Sequence, residues 1–433
     1  MKMKLSETAG QISVPDASAN LQQWLDYLLA IHPQEIELGL ERVAAVAARL
    51  ALLVLAPAKV IMVAGTNGKG TTCRMLELIL QQVGFRVGVY SSPHLLHYNE
   101  RVRIQGVDAA DADFIAAFQQ IEQARGDISL SFFEYGTLAA LLLFKQAALD
   151  VIILEVGLGG RLDATNIIDA DVSVITAVDL DHQAFLGNTR EQVGYEKAGI
   201  FRNGRPAVVG DPQMPNTVAE VAAAKGARLK QVGVDFHWQS TDEQHWRFSG
   251  SRWQLSQLPK PRLPLANAVT ALAALEALYD ELPRAAIEQG LRQATLSGRM
   301  EHFCEQPLIL LDVAHNPHAA RYLAGQLQAL SRHGKLYALC GMLKDKDIHG
   351  VLSVLAPLID EWHLVTLHNE RGATAQMLRQ ALPATSWCQQ YDEMASAWKA
   401  LSPRLHNADV VIVFGSFYTV SGFKEVVQAI GKE

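Results

Sequence analysis

A lysine set among glycines and followed by threonines is chemistry for holding phosphate, and residues 63–72, VAGTNGKGTT, have that composition. Glycines let successive backbone N–H groups turn inward, Lys69 offers a point charge to β and γ phosphates, and Thr71 or Thr72 can stand beside a magnesium ion. The spacing departs from the general phosphate-loop template, which separates its glycines more widely and sets Ser or Thr directly after the lysine. Here Asn67 is among the few residues between Gly65 and Gly68, and Gly70 follows Lys69. A ligand-free glycine turn is the alternative reading.

Five other stretches carry polar chemistry, four of them where an apolar run ends. Glu155 closes Val151-Ile152-Ile153-Leu154, and a carboxylate at the end of a buried strand needs a cation or a hydrogen-bond donor to stay ionised, which makes it a magnesium-ligand candidate. Gly157, Gly159 and Gly160 behind it lack the spacing of a dinucleotide fingerprint. Ser92, in YSSPHL, offers a hydroxyl to a metal or simply caps a turn. His182, in DLDHQ, is a ligand or a structural histidine, and Lys197, in YEKAGI, reads by itself as a surface lysine on a helix. In LLDVAHNP, Asp312 suits a ribose hydroxyl or a helix cap, with His315 close behind. The loops at 343–347 and 415–418 could accept a second substrate.

The elements that must position these residues follow from the hydrophobic pattern. From about Lys59, apolar β-branched runs alternate with helical periodicity, which predicts an α/β fold with a mainly parallel sheet flanked by helices. The spacing predicts strands at 60–64, 87–90, 151–154, 172–176 and 207–209, then at 308–311, 336–339, 362–365 and 410–414 in a second, smaller Rossmann-like α/β domain. Ligands in such sheets bind outside the carboxyl ends of the strands, where the polar stretches fall. The strand at 60–64 and an amphipathic helix over 72–80 flank the glycine loop, which is the context a phosphate site requires. Aromatic and polar residues alternate over 231–258 and predict a small antiparallel appendage. The domain division is expected at residues 297 and 298.

With 433 residues, 49% of them hydrophobic, the chain is long enough for two cores. A net charge of −7 gives no general attraction to nucleic acid or anionic membrane. Four scattered cysteines, without CxxC spacing, read as reduced thiols. The opening MKMKLSETAG has lysines but no apolar run, and no later run predicts a membrane span, so a cytoplasmic protein is expected.

Taken in order, GTNGKGTT, YSSPHL, FFEYGTLAALLLF, LEVGLGGRLDATN, DHQAFLG, EKAGIF, SGRME and DVAHNPHA resemble the folylpolyglutamate synthase family of the Mur ligase superfamily, over about residues 22–422. The resemblance is nearest to its bifunctional bacterial members, and the shortened loop is the form this superfamily uses. It implies an ATP-dependent carbon–nitrogen ligase that joins L-glutamate to dihydropteroate and to reduced folates through an acyl phosphate, with ATP as co-substrate, two magnesium ions and a monomeric chain. Carried over by position, Asn67, Gly68, Lys69, Gly70 and Thr71 cradle phosphate. Asn267, Arg299, Asp312 and His315 are further ATP contacts. Ser92, Glu155 and His182 are metal ligands, and Lys197 stands where the family carries a carbamylated lysine. Lys69, Glu155, His182 and Lys197 form the implied catalytic group. The dihydropteroate pocket maps to Glu37, Leu38 and Gly39, to Ser131, Phe132, Phe133 and Glu134, and to Leu162, Asp163 and Ala164.

Two other enzymes and one non-enzyme compete with this reading. A sister Mur ligase acting on a nucleotide-sugar peptide needs a domain before the phosphate loop, and too little chain precedes Gly65. A monofunctional folylpolyglutamate synthase shares every ATP and metal motif and differs in the dihydropteroate pocket. A non-catalytic nucleotide switch has no need of Glu155, His182, Lys197 and a second domain.

Overall fold

The computed structural model describes residues 13–430 except 17, 33, 35 and 36, so the lysine-bearing opening of the chain lies outside the described residues. The first sheet has eight strands: β1 (Lys59–Ala64), β2 (Val87–Tyr90), β3 (Val102–Ile104), β4 (Val107–Asp108), β5 (Val151–Glu155), β6 (Val172–Ile175), β7 (Pro206–Val209) and β8 (Arg228–Gln231), in the order β4-β3-β2-β5-β1-β6-β7-β8. β2, β5, β1, β6, β7 and β8 are mutually parallel, while β3 pairs antiparallel with both β2 and β4 at one end.

Side chains alternate across a strand, and β1 divides its residues accordingly. Val60, Met62 and Ala64 enter a core with Trp24, Phe114, Tyr135 and Leu138, whereas Ile61 and Val63 enter another with Met75, Ile79, Leu272 and Ile287. The first core lies under helices Leu21–Ala30, Asp111–Arg125 and Phe132–Ala147; the second lies under Lys69–Val83, Leu265–Leu278 and Arg284–Gln293. With both faces covered, β1 reads as a continuous apolar run rather than an alternating one.

The appendage is a three-stranded antiparallel sheet of β9 (His237–Ser240), β10 (His245–Ser249) and β11 (Gln254–Pro259). The second large sheet, β12 (Glu301–Glu305), β13 (Leu308–Asp312), β14 (Leu336–Cys340), β15 (Glu361–Val365), β16 (Cys388–Tyr391) and β17 (Val410–Phe414), has the order β12-β13-β17-β14-β15-β16, with only β12 antiparallel. No described helix is long and apolar enough to cross a membrane.

Nine strands stand where the sequence pattern predicts them, within a residue at each end. Five others in the two large sheets were not predicted. β4, β8, β12 and β16 are sheet edges and β3 is next to one; their solvent-facing residues dilute the apolar signal. The helix predicted over 72–80 starts earlier, at Lys69, so the lysine itself belongs to the first turn.

Candidate active site

The loop after β1 is held by its neighbours in the sheet. Thr66 N donates to Ala177 O (2.8 Å), Thr66 Oγ1 donates to Asp179 O (2.9 Å), and Thr176 Oγ1 donates to Asn67 O (2.6 Å). Gly68, at φ +87°, turns the chain into the helix; a Cβ there would stand 2.6 Å from Asn267 Oδ1, so both its conformation and its surroundings require glycine. Asn267 Nδ2 donates to Thr71 Oγ1 (2.6 Å), which donates to Gly68 O (3.0 Å). Asn267 therefore supports the loop from beneath. Lys69 Nζ donates to Gly65 O (3.0 Å). The amide groups freed at the helix start and the lysine form a concave positive surface.

Ser92 follows β2, Glu155 ends β5 and His182 follows β6, so the three sit on strands or loops around β1. Register alone aligns Val63 of β1 with Glu155 of β5. Glu155 is 5% exposed, and its Oε2 accepts from Ser92 N at 3.3 Å. Burial raises its pKa against the pull of Lys69. A carboxylate with so little hydrogen bonding has acceptor capacity for a cation. His182 adopts a left-handed conformation (φ +48°), uncommon for a non-glycine residue and typical of functional loops. Burial lowers its pKa to about 4, so the ring is neutral at pH 7 with a lone pair available. Among the described residues no group of three or more His, Cys, Asp or Glu side chains is gathered as a metal cage. Two ionisable donors and a hydroxyl instead fit a hard dication that completes its shell with phosphate oxygens and water.

Lys197, which by itself reads as a surface residue, is 3% exposed on helix Arg190–Ala198. Burial first, and Lys69 second, lower its pKa to about 7. The bland reading fails because the helix turns this face inward, against the glycine turn at 157–160: a Cβ on Gly160 would stand 3.0 Å from Lys197 O.

The second domain reaches the same place. Asp312 does not cap the following helix, as its position in sequence allows; Asn316 does, with its side chain accepting from Ala319 N. Asp312 instead accepts from Met300 N (2.9 Å) and Ala314 N (2.8 Å), clamping the interdomain turn that carries Arg299. The Arg299 guanidinium lies 5.5 Å from the Phe417 ring centroid. His315 Nδ1 donates to Val313 O (2.8 Å), leaving Nε2 3.6 Å from Asp181 Oδ2. Lys346 Nζ pairs with Asp181 Oδ1 at 2.6 Å, and Asn67 and Asn316 exchange amide hydrogen bonds of 3.2 and 3.0 Å. Despite burial, His315, His182 and Lys346 hold the Asp181 carboxyl well below the usual range.

One cleft of about 840 Å³ joins these parts. At one end lie Asn67, Gly68, Lys69, Gly70, Ser92, Glu155, His182, Lys197, Arg299 and His315; at the other lie Glu37, Leu38, Gly39, Ser131, Phe132, Phe133, Glu134, Leu162, Asp163 and Ala164. Thr71, Asn267 and Asp312 do not line it. At the second end Ser131 caps helix Phe132–Ala147, with Glu134 Oε2 accepting from Ser131 N at 2.7 Å. Phe133 packs on Gly157, where a Cβ would stand 2.5 Å from the ring. Asp163, its pKa raised by burial, accepts from Leu158 N and Thr165 N.

Sequence reasoning missed Arg101 and His32, and it marked His94, Asp181 and Lys346 only as parts of quoted stretches, with no role. All five line the cleft. Arg101 stacks 5.4 Å from the Phe132 centroid and its Nε donates to His94 Nδ1 at 2.9 Å. The pattern of apolar residues gives no sign of these, because each is placed by tertiary contacts.

A half-buried phosphate-type loop, a buried carboxylate on the adjacent strand and a second α/β domain reaching the same cleft are the features of a Mur-type ligase. The Mur ligase middle domain matches residues 63–275, and the Mur ligase glutamate ligase domain matches residues 298–417. The chain is 52% identical to the dihydrofolate synthase/folylpolyglutamate synthase of Escherichia coli strain K12, over 96% of this chain and 97% of that one. The structure of E. coli FolC in complex with DHPP and ADP superposes with a TM-score of 0.93 at 52% identity, covering 96% of this chain and all of that one. A bifunctional folylpolyglutamate synthase/dihydrofolate synthase with Mn, AMPPNP and L-glutamate bound has a TM-score of 0.89, with 52% identity over 97% of this chain and 100% of that one. The chain belongs to the dihydrofolate synthase/folylpolyglutamate synthase family of ATP-dependent ligases.

Proposed function

We infer that this chain joins L-glutamate to dihydropteroate, and to the γ-carboxylate of reduced folates, at the expense of ATP. The observation that carries the reading is the single cleft with a phosphate loop at one end and a pocket of aromatic and polar residues at the other. Residues 1–297 act as the ATP-binding and pterin-binding domain and residues 298–433 as the glutamate-binding domain.

In the reaction, the acceptor carboxylate attacks the γ-phosphorus of ATP and displaces ADP, giving an acyl phosphate. The glutamate amine then attacks the acyl carbon, and the tetrahedral intermediate expels phosphate as the nitrogen loses a proton. Both reactants in the first step are anions, so positioning and charge compensation carry most of the catalysis. Asn67 through Thr71 cradle phosphate and Lys69 neutralises it. Arg299 approaches the nucleotide from the interdomain turn, and Asn267, Asp312 and His315 keep the ATP subsite in shape. Ser92, Glu155 and His182 would hold magnesium, two ions with the help of Lys197, and the metal would supply charge neutralisation at the phosphates. Lys197, its pKa lowered by burial to about 7 so that free amine is present near neutral pH, adds to carbon dioxide with loss of a proton and becomes an anionic carbamate. Phe132 and Phe133 sandwich the flat heterocycle, while Glu37, Glu134 and Asp163 meet its polar edge. Lys346 and the loop at 415–418 receive glutamate.

The enzyme acts as a monomer in the cytoplasm. The decisive assay is phosphate release from ATP and magnesium, expected only when glutamate and either dihydropteroate or a reduced folate are both present. Release with the folate alone as acceptor would assign a monofunctional synthase, and release without any acceptor would overturn ligase chemistry.

A further inference from the structure

The three strips at the acceptor end of the cleft come from distant parts of the chain, and few bonds join them. Gly39 N donates to Leu162 O at 3.3 Å, which ties the first strip to the third. Arg42, on helix Glu41–Arg49, ties the first to the second. Its Nη1 pairs with Glu37 Oε1, and its Nη2 donates to Glu37 O (3.3 Å) and to Glu134 Oε1 (3.1 Å). On the other side of Glu37, His32 Nε2 lies 2.7 Å from Oε2, while His32 Nδ1 is 2.8 Å from Ser129 Oγ. Glu134 is buried, and its second oxygen is taken by Ser131 N. Arg42 itself does not line the cleft.

One guanidinium thus neutralises two pocket carboxylates and sets the distance between their strips. Without it, two like charges would face each other across the pocket, and His32 would be the remaining partner of the Glu37 carboxylate. A lysine preserves the charge but not the fork that reaches both partners at once. The pocket as a whole, with the phosphate loop at its far end, would keep its core.

We propose that Arg42 is a positioning residue for the acceptor: by bridging Glu37 and Glu134 it fixes the width of the pterin pocket and governs binding of dihydropteroate and reduced folate, leaving the ATP subsite untouched. The proposal rests on the pterin reading of that pocket.

Steady-state kinetics of Arg42→Lys and Arg42→Met test it, after the wild-type chain has been assayed for pterin-dependent phosphate release. In both variants KM for dihydropteroate and for the folate should rise by about tenfold or more, with KM for ATP and kcat within about twofold of wild type. Arg42→Lys should lie between wild type and Arg42→Met. Glu37→Gln combined with Arg42→Met should cost less than the sum of the two single changes. An unchanged acceptor KM in both variants overturns the proposal, and so does an equal fall in affinity for ATP, which would make Arg42 a general structural support. If Arg42→Met does not fold, the Arg42→Lys values decide alone. A wild-type chain that shows no pterin dependence would instead bring down the functional reading.

Discussion

The two ends of the cleft are built on different principles. At the phosphate end, the loop after β1 and Ser92, Glu155 and His182 hang from the carboxyl ends of parallel strands or the loops beyond them, while a helix brings in Lys197 and the interdomain turn brings in Arg299. At the acceptor end, the walls come from an N-terminal segment, a helix start and a loop after β5, joined by side chains. A site made by backbone architecture is rigid and legible as short motifs. A site made by side-chain cross-links is adjustable and leaves only scattered residues behind.

If this contrast is right, damage at the phosphate end should strike kcat with every acceptor, whereas damage at the acceptor end should strike acceptor KM. Lys69→Ala makes the harshest test: turnover should fall by at least about a thousandfold with either acceptor. Circular dichroism and the thermal midpoint should stay near wild type, and unfolding instead would make the loop a structural element. Lys197→Met comes next, with an expected loss of about a hundredfold in kcat. Bicarbonate depletion should reproduce part of that loss in the wild type and none in the variant.

The same lysine gives a stability signature. Its folded pKa of about 7 lies below the ordinary lysine value, so between the two the unfolded chain binds the extra proton. In bicarbonate-free buffer the wild-type chain should therefore gain stability as pH rises from about 7 toward about 10 from this group. The urea midpoint of Lys197→Met should lack that rise and should exceed wild type at pH 7. The smallest expected effect is that of Phe133→Ala, which should raise acceptor KM by about tenfold through lost stacking while leaving ATP affinity alone.

The same contrast explains what the sequence made readable. Central strands such as β1 and β17 are buried on both faces and announce themselves as apolar runs; edge strands such as β8, with its sequence RLKQ, do not. Glu155 stood out because a charge closes an apolar run. Lys197 was legible only through the family resemblance, since helix periodicity cannot say which neighbours cover a side chain. Asp312 carried two readings, and the capping one gives way for a related reason. An acid before a helix invites a capping role, yet the helix starts after Asn316 and the carboxylate serves the turn at Met300. Arg42 gave no sign at all, because its partners lie on either side of a fold that had not yet been built.

The pairing of Val63 with Glu155 across β1 and β5 has one more consequence. Side chains alternate between the faces of a sheet, so a slip of a single residue would turn Glu155 toward the opposite layer and bring Leu154 to the site. The hydrogen-bonded ladder is thus a ruler. The placement of the charge is measured out in the interior of the protein, by apolar residues that never meet a substrate.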